Sequence, residues 1–327
     1  MTATFLDLVD LASERLGASV LAANDEFFAP KECLISAAAP VWIEGKYTER
    51  GKWMDGWETR RRRDGGDHDW CIIRLGVPGV VRGVDVDTAF FKGNYPESCA
   101  IDGCDAGALA TVDELTRAAW CEIVARTPLK GDSHHQIAAT GGAKMTHLRL
   151  RIFPDGGVAR LRVHGEVAAD WERLRRRGDV DLAAVEHGGL VIGCSDMFFG
   201  SRHNLIMPGD ATHMGDGWET KRRRGPGHDR TIVRLGAAGT IRRVEVDTRH
   251  FKGNAPGACS LEAAVLGPDK DQRDLEWRDL LPRTALQPHT RHLFEDDLRP
   301  VGDATHVRFN IYPDGGVGRL RLFGRPK

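Results

Sequence analysis

The chain contains nearly the same sequence twice, and this constrains its fold more than any other feature. DGWETRRRR at Asp55–Arg63 returns as DGWETKRRR at Asp216–Arg224, with eight of nine residues identical. VDVDTAFFKGNYPESC at Val84–Cys99 returns as VEVDTRHFKGNAPGAC at Val244–Cys259, with ten of sixteen identical. THLRLRIFPDGGVARLRVHG at Thr146–Gly165 returns as THVRFNIYPDGGVGRLRLFG at Thr305–Gly324, with thirteen of twenty identical. The offset between copies is 161, 160 and 159 residues in turn. A nearly constant offset of that length means two domains of one fold, not a short-period solenoid.

Within each copy the apolar period is mostly two. Val84 and Val86 oppose Asp85 and Asp87, and Leu148, Leu150 and Ile152 oppose His147, Arg149 and Arg151. Arg160, Arg162 and His164 likewise share a face opposite Leu161 and Val163. The PDGG between the last two segments predicts a tight β-hairpin, repeated around Asp314-Gly315-Gly316. Short strands with one buried face and Gly- and Pro-rich connections predict an all-β protein of two tandem β-sandwich domains. The spacing of Phe5, Leu8, Val9, Leu11, Leu16 and Val20 predicts an amphipathic N-terminal helix. A second helix is expected in the charged connector, ended by Gly178, and a short helical stretch in each copy, DELTRAAWCEIVARTPL and DLEWRDLLPRTAL. The expected organisation is an N-terminal helical segment 1–23, a first repeat 24–165, a linker 166–194 and a second repeat 195–327.

The formal net charge of −1 argues against nucleic acid or an anionic membrane as partner. No apolar run reaches the roughly 20 residues of a membrane span, and the first residues lack a signal-peptide pattern, so a cytoplasmic protein is expected. Cys99 and Cys259 occupy equivalent positions and read as small buried hydrophobes rather than nucleophiles. Trp53, Trp57 and Trp218 read as core.

No P-loop, nucleophile elbow, HExxH or dinucleotide fingerprint is present. The candidate chemistry lies in a polar set that occurs in both copies. Glu58, His68 and Asp87, with Glu219, His228 and Asp247, are the acid/base candidates. Arg61, Arg63, Lys92 and Asn94, with Arg222, Arg224, Lys252 and Asn254, are the candidate substrate-binding residues. Guanidinium forks suit a small carboxylate, and only alternate arginines of the run can face one side. Each set has a plainer reading: a solvated strand face for the arginines, a capped turn for His-Asp, and a tight turn for KGN. Asp, Glu and His are numerous enough to ligate a cation, but no spacing is diagnostic. No cofactor is expected, and no tightly bound catalytic metal.

DGWETRRRR, the turn at Asp67-His68-Asp69, VDVDT, FKGNYPESC and PDGGVARLRVHG, each with its second-copy partner, resemble the allantoicase family over almost the whole chain. The resemblance implies two jelly-roll, galactose-binding-like sandwiches and a hydrolase acting on the C–N bonds of linear amidines. The implied reaction is allantoate plus water giving ureidoglycolate and urea, a step of purine (allantoin) degradation. A homo-oligomer is expected on symmetry grounds. The rival reading is a duplicated small-ligand or carbohydrate-binding module without catalysis. The copies differ most before DGWET: thirty residues separate Asp25 from Asp55, but twenty separate Asp196 from Asp216. The extra residues, in the EGKYTERGKWM region, read as a loop with its own task.

Overall fold

A computed structural model describes residues 5–107, 109–267, 273 and 275–327. The chain divides into two compact units, Met1–Ala168 and Ala169–Lys327. The strands of the first are β1 (Val9–Asp10), β2 (Ser19–Ala23), β3 (Tyr47–Thr48), β4 (Gly51–Lys52), β5 (Trp57–Glu58), β6 (Asp69–Asp87), β7 (Ser98–Cys104), β8 (Cys121–Pro128), β9 (His134–Ala138), β10 (Lys144–Phe153), β11 (Gly157–Val158) and β12 (Arg160–Val167). All the pairings among them are antiparallel.

The long strand β6 organises the unit. Its first half lies between β2 and β10, and its second half between β12 and β9. The β10 register jumps from Arg74 to Gly79, where the RLGVPG segment bends the strand from one layer into the other. Gly79 has no room for a side chain, because a Cβ there would stand 2.6 Å from the Glu166 carbonyl oxygen. β10 continues to β7 and β8, and β12 to β1. The alternating apolar residues fill the space between layers. Ile73, Val84, Val86, Ile101, Leu148, Leu150, Ile152, Leu161 and Val163 are all fully buried. This is a jelly-roll sandwich.

The second unit repeats it with β13 (Val180–Asp181), β14 (Leu190–Cys194), β15 (Trp218–Glu219), β16 (Asp229–Asp247), β17 (Ala258–Ala264), β18 (Arg278–Ala285), β19 (Arg291–Phe294), β20 (Asp303–Tyr312), β21 (Gly316–Val317) and β22 (Arg319–Pro326). β16 is again the bent strand, between β14 and β20 and then between β22 and β19.

Four expectations are corrected. Residues 5–21 are not an α-helix: Phe5–Asp7 and Glu14–Leu16 are single 3-10 turns, and β1 and β2 belong to the first sandwich. Ser13 starts the second turn, and Gly17, at φ 85°, ends it at once. Leu11, Leu16 and Val20 are buried, so their spacing reflects a core contacted by strand and turn rather than one helical stripe. The same elements recur before the second repeat: residues 180–194, expected as linker, supply β13 and β14 to the second sheet. The connector helix itself is present as α2, Trp171–Arg176, with Asp170 at its N-cap and Gly178 following at positive φ. Of the helical stretches inside the copies, the first is a single short helix, α1 (Val112–Thr116), followed by β8. The second is strand β18 from Arg278 onward, with Asp274 outside the described residues.

The PDGG segments are not hairpins. Among the described residues β10 pairs with β6 and β7, whereas β12 pairs with β6 and β1. A β6 of 19 residues is long enough to accept both, so PDGG carries the chain from one layer to the other. Alternation and turn chemistry look the same in either case. No described helix is long and apolar enough to cross a membrane.

Candidate functional site

The first unit's site starts from the two residues of β5. Trp57 is fully buried, and its indole N–H donates to the Asp25 carbonyl at 2.9 Å. This fixes the neighbouring Glu58, whose backbone is held between β11 and a bridge to Ala29. β11 approaches that closely only because Gly157 lacks a side chain; a Cβ there would lie 1.9 Å from the buried Phe91 ring.

Glu58 is 8% exposed, and its Oε1 accepts from the Asn94 amide at 2.7 Å. Burial pushes the Glu58 carboxyl above the usual range, and the Asn94 donor opposes the rise. Asn94 belongs to the KGN turn, which the chain enters through a left-handed Phe90 at φ 68°. Asp132 holds that conformation by accepting the Phe90 N–H at 2.8 Å, and the Asn94 carbonyl accepts from Gly157 N–H at 2.7 Å.

The arginine run, which lies in the connection between β5 and β6, divides into paired and unpaired members. Arg60 pairs with Asp25, and Arg62 with Asp69. The Arg62 N–H also donates at 2.8 Å to the carboxylate of Asp155, so PDGG pins the run. Arg61 and Arg63 are exposed and have no hydrogen-bond or ion-pair partner among the described residues. Both line a cavity of about 920 Å³ that also reaches Glu58 and Asn94. A second cavity of about 700 Å³ shares Phe28, Glu58, Gly93 and Asn94 with it and extends to Trp42, Lys52, Met54, Phe90 and Lys92. Trp42, Lys52 and Met54 precede DGWET in the longer first-copy segment, whose tip is the β3–β4 hairpin. The glutamate therefore sits where an arginine-lined chamber meets an aromatic one.

The second unit repeats the frame without the cover. Asn254 donates to Glu219 at 2.6 Å, and β15 pairs with β21. Lys221 and Arg223 are tied to Asp196 and Asp229, while Arg222 and Arg224 are exposed and unpaired among the described residues. Lys252 is exposed. Glu219 is only half-buried, and Phe198, Phe199 and Met214 around it are exposed.

The remaining candidates are not brought to Glu58. His68 contacts Asp67 at 2.6 Å, and its ring lies 5.3 Å from that of Phe153 on the sheet face. His228 sits against Tyr312 and Asn310 in a separate depression of about 480 Å³. Asp87 and Asp247 are not on a solvent face but buried at strand ends, where they accept the N–H of Ala89 at 2.7 Å and of Arg249 at 2.8 Å. Burial pushes the Asp87 carboxyl up. Cys99 and Cys259 are fully buried, and burial pushes both thiols up to about 12. Trp57 and Trp218 are core, while Trp53 is half-buried beneath the Lys46 ammonium. Among the described residues no group of three or more His, Cys, Asp or Glu side chains could hold a metal ion.

Sequence reasoning missed Arg160 as a positioning residue by placing it on a polar strand face. It is 3% exposed and ties the segment before DGWET to the sheet through the Ala38 carbonyl at 2.9 Å and the Asp55 carboxylate at 2.9 Å. Arg319 does the same through the Gly209 carbonyl and Asp216. Their place two residues after the PDGGV shared by both copies was the available signal.

A family model described as the allantoicase repeat matches residues 9–168 and 180–327. A probable allantoicase of Pseudomonas aeruginosa (strain LESB58) is 51% identical, with 99% of this chain and 98% of the relative covered. Probable allantoicase 1 of Burkholderia mallei (strain ATCC 23344) is 48% identical, over 97% of this chain and 94% of the relative. The crystal structure of allantoicase from Saccharomyces cerevisiae superposes with a TM-score of 0.83 at 34% identity, covering 97% of this chain and 92% of that one. With both repeats matched, in sequence and in fold, the chain belongs to the allantoicase family.

Proposed function

We propose that the chain hydrolyses allantoate to ureidoglycolate and urea, and that the cleft of the first unit does the work. Full-length relatives named as allantoicases favour the hydrolase over a non-catalytic duplicated module. The observation that carries the placement is Glu58, buried against Asn94 at the junction of two chambers, whereas its twin Glu219 is half-buried and has no such cover.

Allantoate is a small anion with one carbon bearing a carboxylate and two ureido groups. Arg61 and Arg63, uncommitted among the described residues, take the carboxylate as charge-assisted donors. Lys92 and Asn94, on the KGN turn, serve the ureido groups. With Asn94 on Oε1, the other Glu58 oxygen is left to hold and deliver a proton, and burial raises the carboxyl's hold on it. As the bond from the central carbon to one ureido nitrogen breaks, that nitrogen keeps the electron pair and receives the Glu58 proton, releasing neutral urea. The lone pair of the other ureido nitrogen supports the cationic carbon. Water adds there and returns a proton to the Glu58 carboxylate, giving ureidoglycolate and the starting enzyme. His68, His228, Asp87 and Asp247 take no part in this scheme.

The same reading makes the protein a cytoplasmic homo-oligomer. Seven free thiols suit a reducing compartment, and the exposed Phe198 and Phe199 suit a face covered by a partner.

The test is urea release by Glu58→Gln and Glu219→Gln. Glu58→Gln loses about 10²–10⁴-fold in kcat, the range for removing a general acid–base, and Glu219→Gln stays near the parent. The opposite pattern moves the site to the second unit, and two fully active variants remove the glutamate from the mechanism.

A further inference from the structure

We propose that Lys52, on the segment peculiar to the first copy, is a further catalytic residue that holds the carbonyl oxygen of the departing ureido group. This rests on placing catalysis in the first unit's cleft. The aromatic chamber has Trp42 and Phe90 as walls, their ring centroids 6.1 Å apart, and opens onto Glu58 and Asn94. A flat, neutral ureido group fits such walls better than a carboxylate does, since it has faces to stack and little charge to desolvate.

Two ammonium groups line this chamber, and they differ. Lys92 lies 3.8 Å from the Asp132 carboxylate. Lys52 has no carboxylate partner among the described residues; its Nζ rests 4.2 Å from the centroid of the Trp42 ring. A cation poised over an aromatic face beside the chamber has donors to spare for a ligand. As the C–N bond breaks, charge builds on the leaving ureido nitrogen and spreads onto its carbonyl oxygen. A donor at that oxygen stabilises the transition state more than the ground state, so its effect falls on kcat. The proton still comes from Glu58, so Lys52 gives up none and the step balances as written above.

The placement also explains why one copy differs. The twenty residues from Asp196 to Asp216 leave no counterpart of the β3–β4 hairpin, so the second unit keeps the Glu–Asn pair without the chamber that would hold the leaving group.

The experiment is steady-state hydrolysis of allantoate by Lys52→Met and Lys52→Arg, with glycolate as a competitive probe that keeps the carboxylate and has no ureido group. Lys52→Met is expected to lose about 10²-fold in kcat, the scale for one lost donor at a developing charge. KM and glycolate inhibition are expected to stay as in the parent, and Lys52→Arg to recover most of the rate. Lys52 is exposed, so the variant folds, and an unchanged melting temperature verifies it. Weaker glycolate inhibition with a raised KM would mean that Lys52 reads the carboxylate, which overturns the proposal. So would a kcat close to the parent. An active Glu58→Gln is a separate failure: it removes the site itself, whatever Lys52 does.

Discussion

Replacing Arg160 with alanine should release the segment that walls the aromatic chamber. The guanidinium donates to the Ala38 carbonyl at 2.9 Å, the Asp55 carbonyl at 3.2 Å, the Ala159 carbonyl at 2.7 Å and the Asp55 carboxylate at 2.9 Å. Hydrogen bonds involving a charged group contribute about 1.5–3 kcal/mol each, but these four share one side chain and do not add. Removing one partner of a buried ion pair costs about 3–5 kcal/mol. Asp55 keeps one donor, the Val41 N–H at 2.9 Å, which places the loss near the lower end. For a unit of this size each kcal/mol moves the melting temperature by about 2–4 °C, so a loss of about 3 kcal/mol lowers it by about 6–12 °C. Arg319→Ala removes the equivalent set in the second unit and should cost as much. The two variants part in activity: urea release at 25 °C collapses for Arg160→Ala and persists for Arg319→Ala. Calorimetry beside a urea assay decides it. A melting shift under about 2 °C, less than 1 kcal/mol on the same scale, would show that Arg160 is not the staple. Equal losses of activity would refute the asymmetry between units.

Gly157→Ala puts a Cβ 1.9 Å from the ring of Phe91, which has no space to retreat; it should cost about 1–3 kcal/mol by overpacking and displace Glu58, read as lost stability together with lost urea release. Gly316→Ala meets Phe251 at 2.0 Å and should match the stability cost while sparing activity. Acid should weaken the fold through the buried histidines. Burial, helped by the charge of Arg234, holds His306 at about 4, and burial also holds His147 down. Between about pH 6.5 and 4 the unfolded chain takes up a proton that folded His306 refuses, so stability is lost as pH falls through that window. Denaturation midpoints measured from pH 7 to 4 should fall less steeply for His306→Asn than for the parent.

Much of the architecture was legible because duplication doubles every signal. Two sandwiches, buried cysteines and the core Trp57 and Trp218 followed from alternation and repetition; the expected division of RRRR matches paired Arg60 and Arg62 beside unpaired Arg61 and Arg63, although the run lies outside any strand. What failed was anything that depends on where a segment finds its partner. Leu11, Leu16 and Val20 imitate a helical stripe, and PDGG imitates a hairpin, because local pattern does not reveal that a bent β6 receives strands from both sides. The site was half legible for the same reason. Glu58 and Asn94 lie 36 positions apart and meet through β5, β11 and the KGN turn, whereas His68, next to the arginine run in sequence, stands over Phe153 instead.

The duplication also changes which residues deserve a functional reading. Each unit must bury its own core, so pieces that serve the scaffold have to persist in both copies. Trp57 and Trp218 in the core, Arg160 and Arg319 beneath the loops, Gly157 and Gly316 beside a buried Phe, and the Asp155 and Asp314 clamps all belong to that class. Identity between copies is therefore weak support for catalysis, for His68, His228, Asp87 and Asp247 as for any other twinned pair. Catalysis needs only one competent cleft, so its distinguishing marks lie where the copies diverge. The clearest divergence is the segment that carries Trp42 and Lys52 to a glutamate whose twin lacks that cover. Shortening residues 41–52 to the length found before Asp216 should therefore abolish urea release while leaving the first sandwich folded. A shortened chain that still turned over would mean that divergence marks drift rather than function.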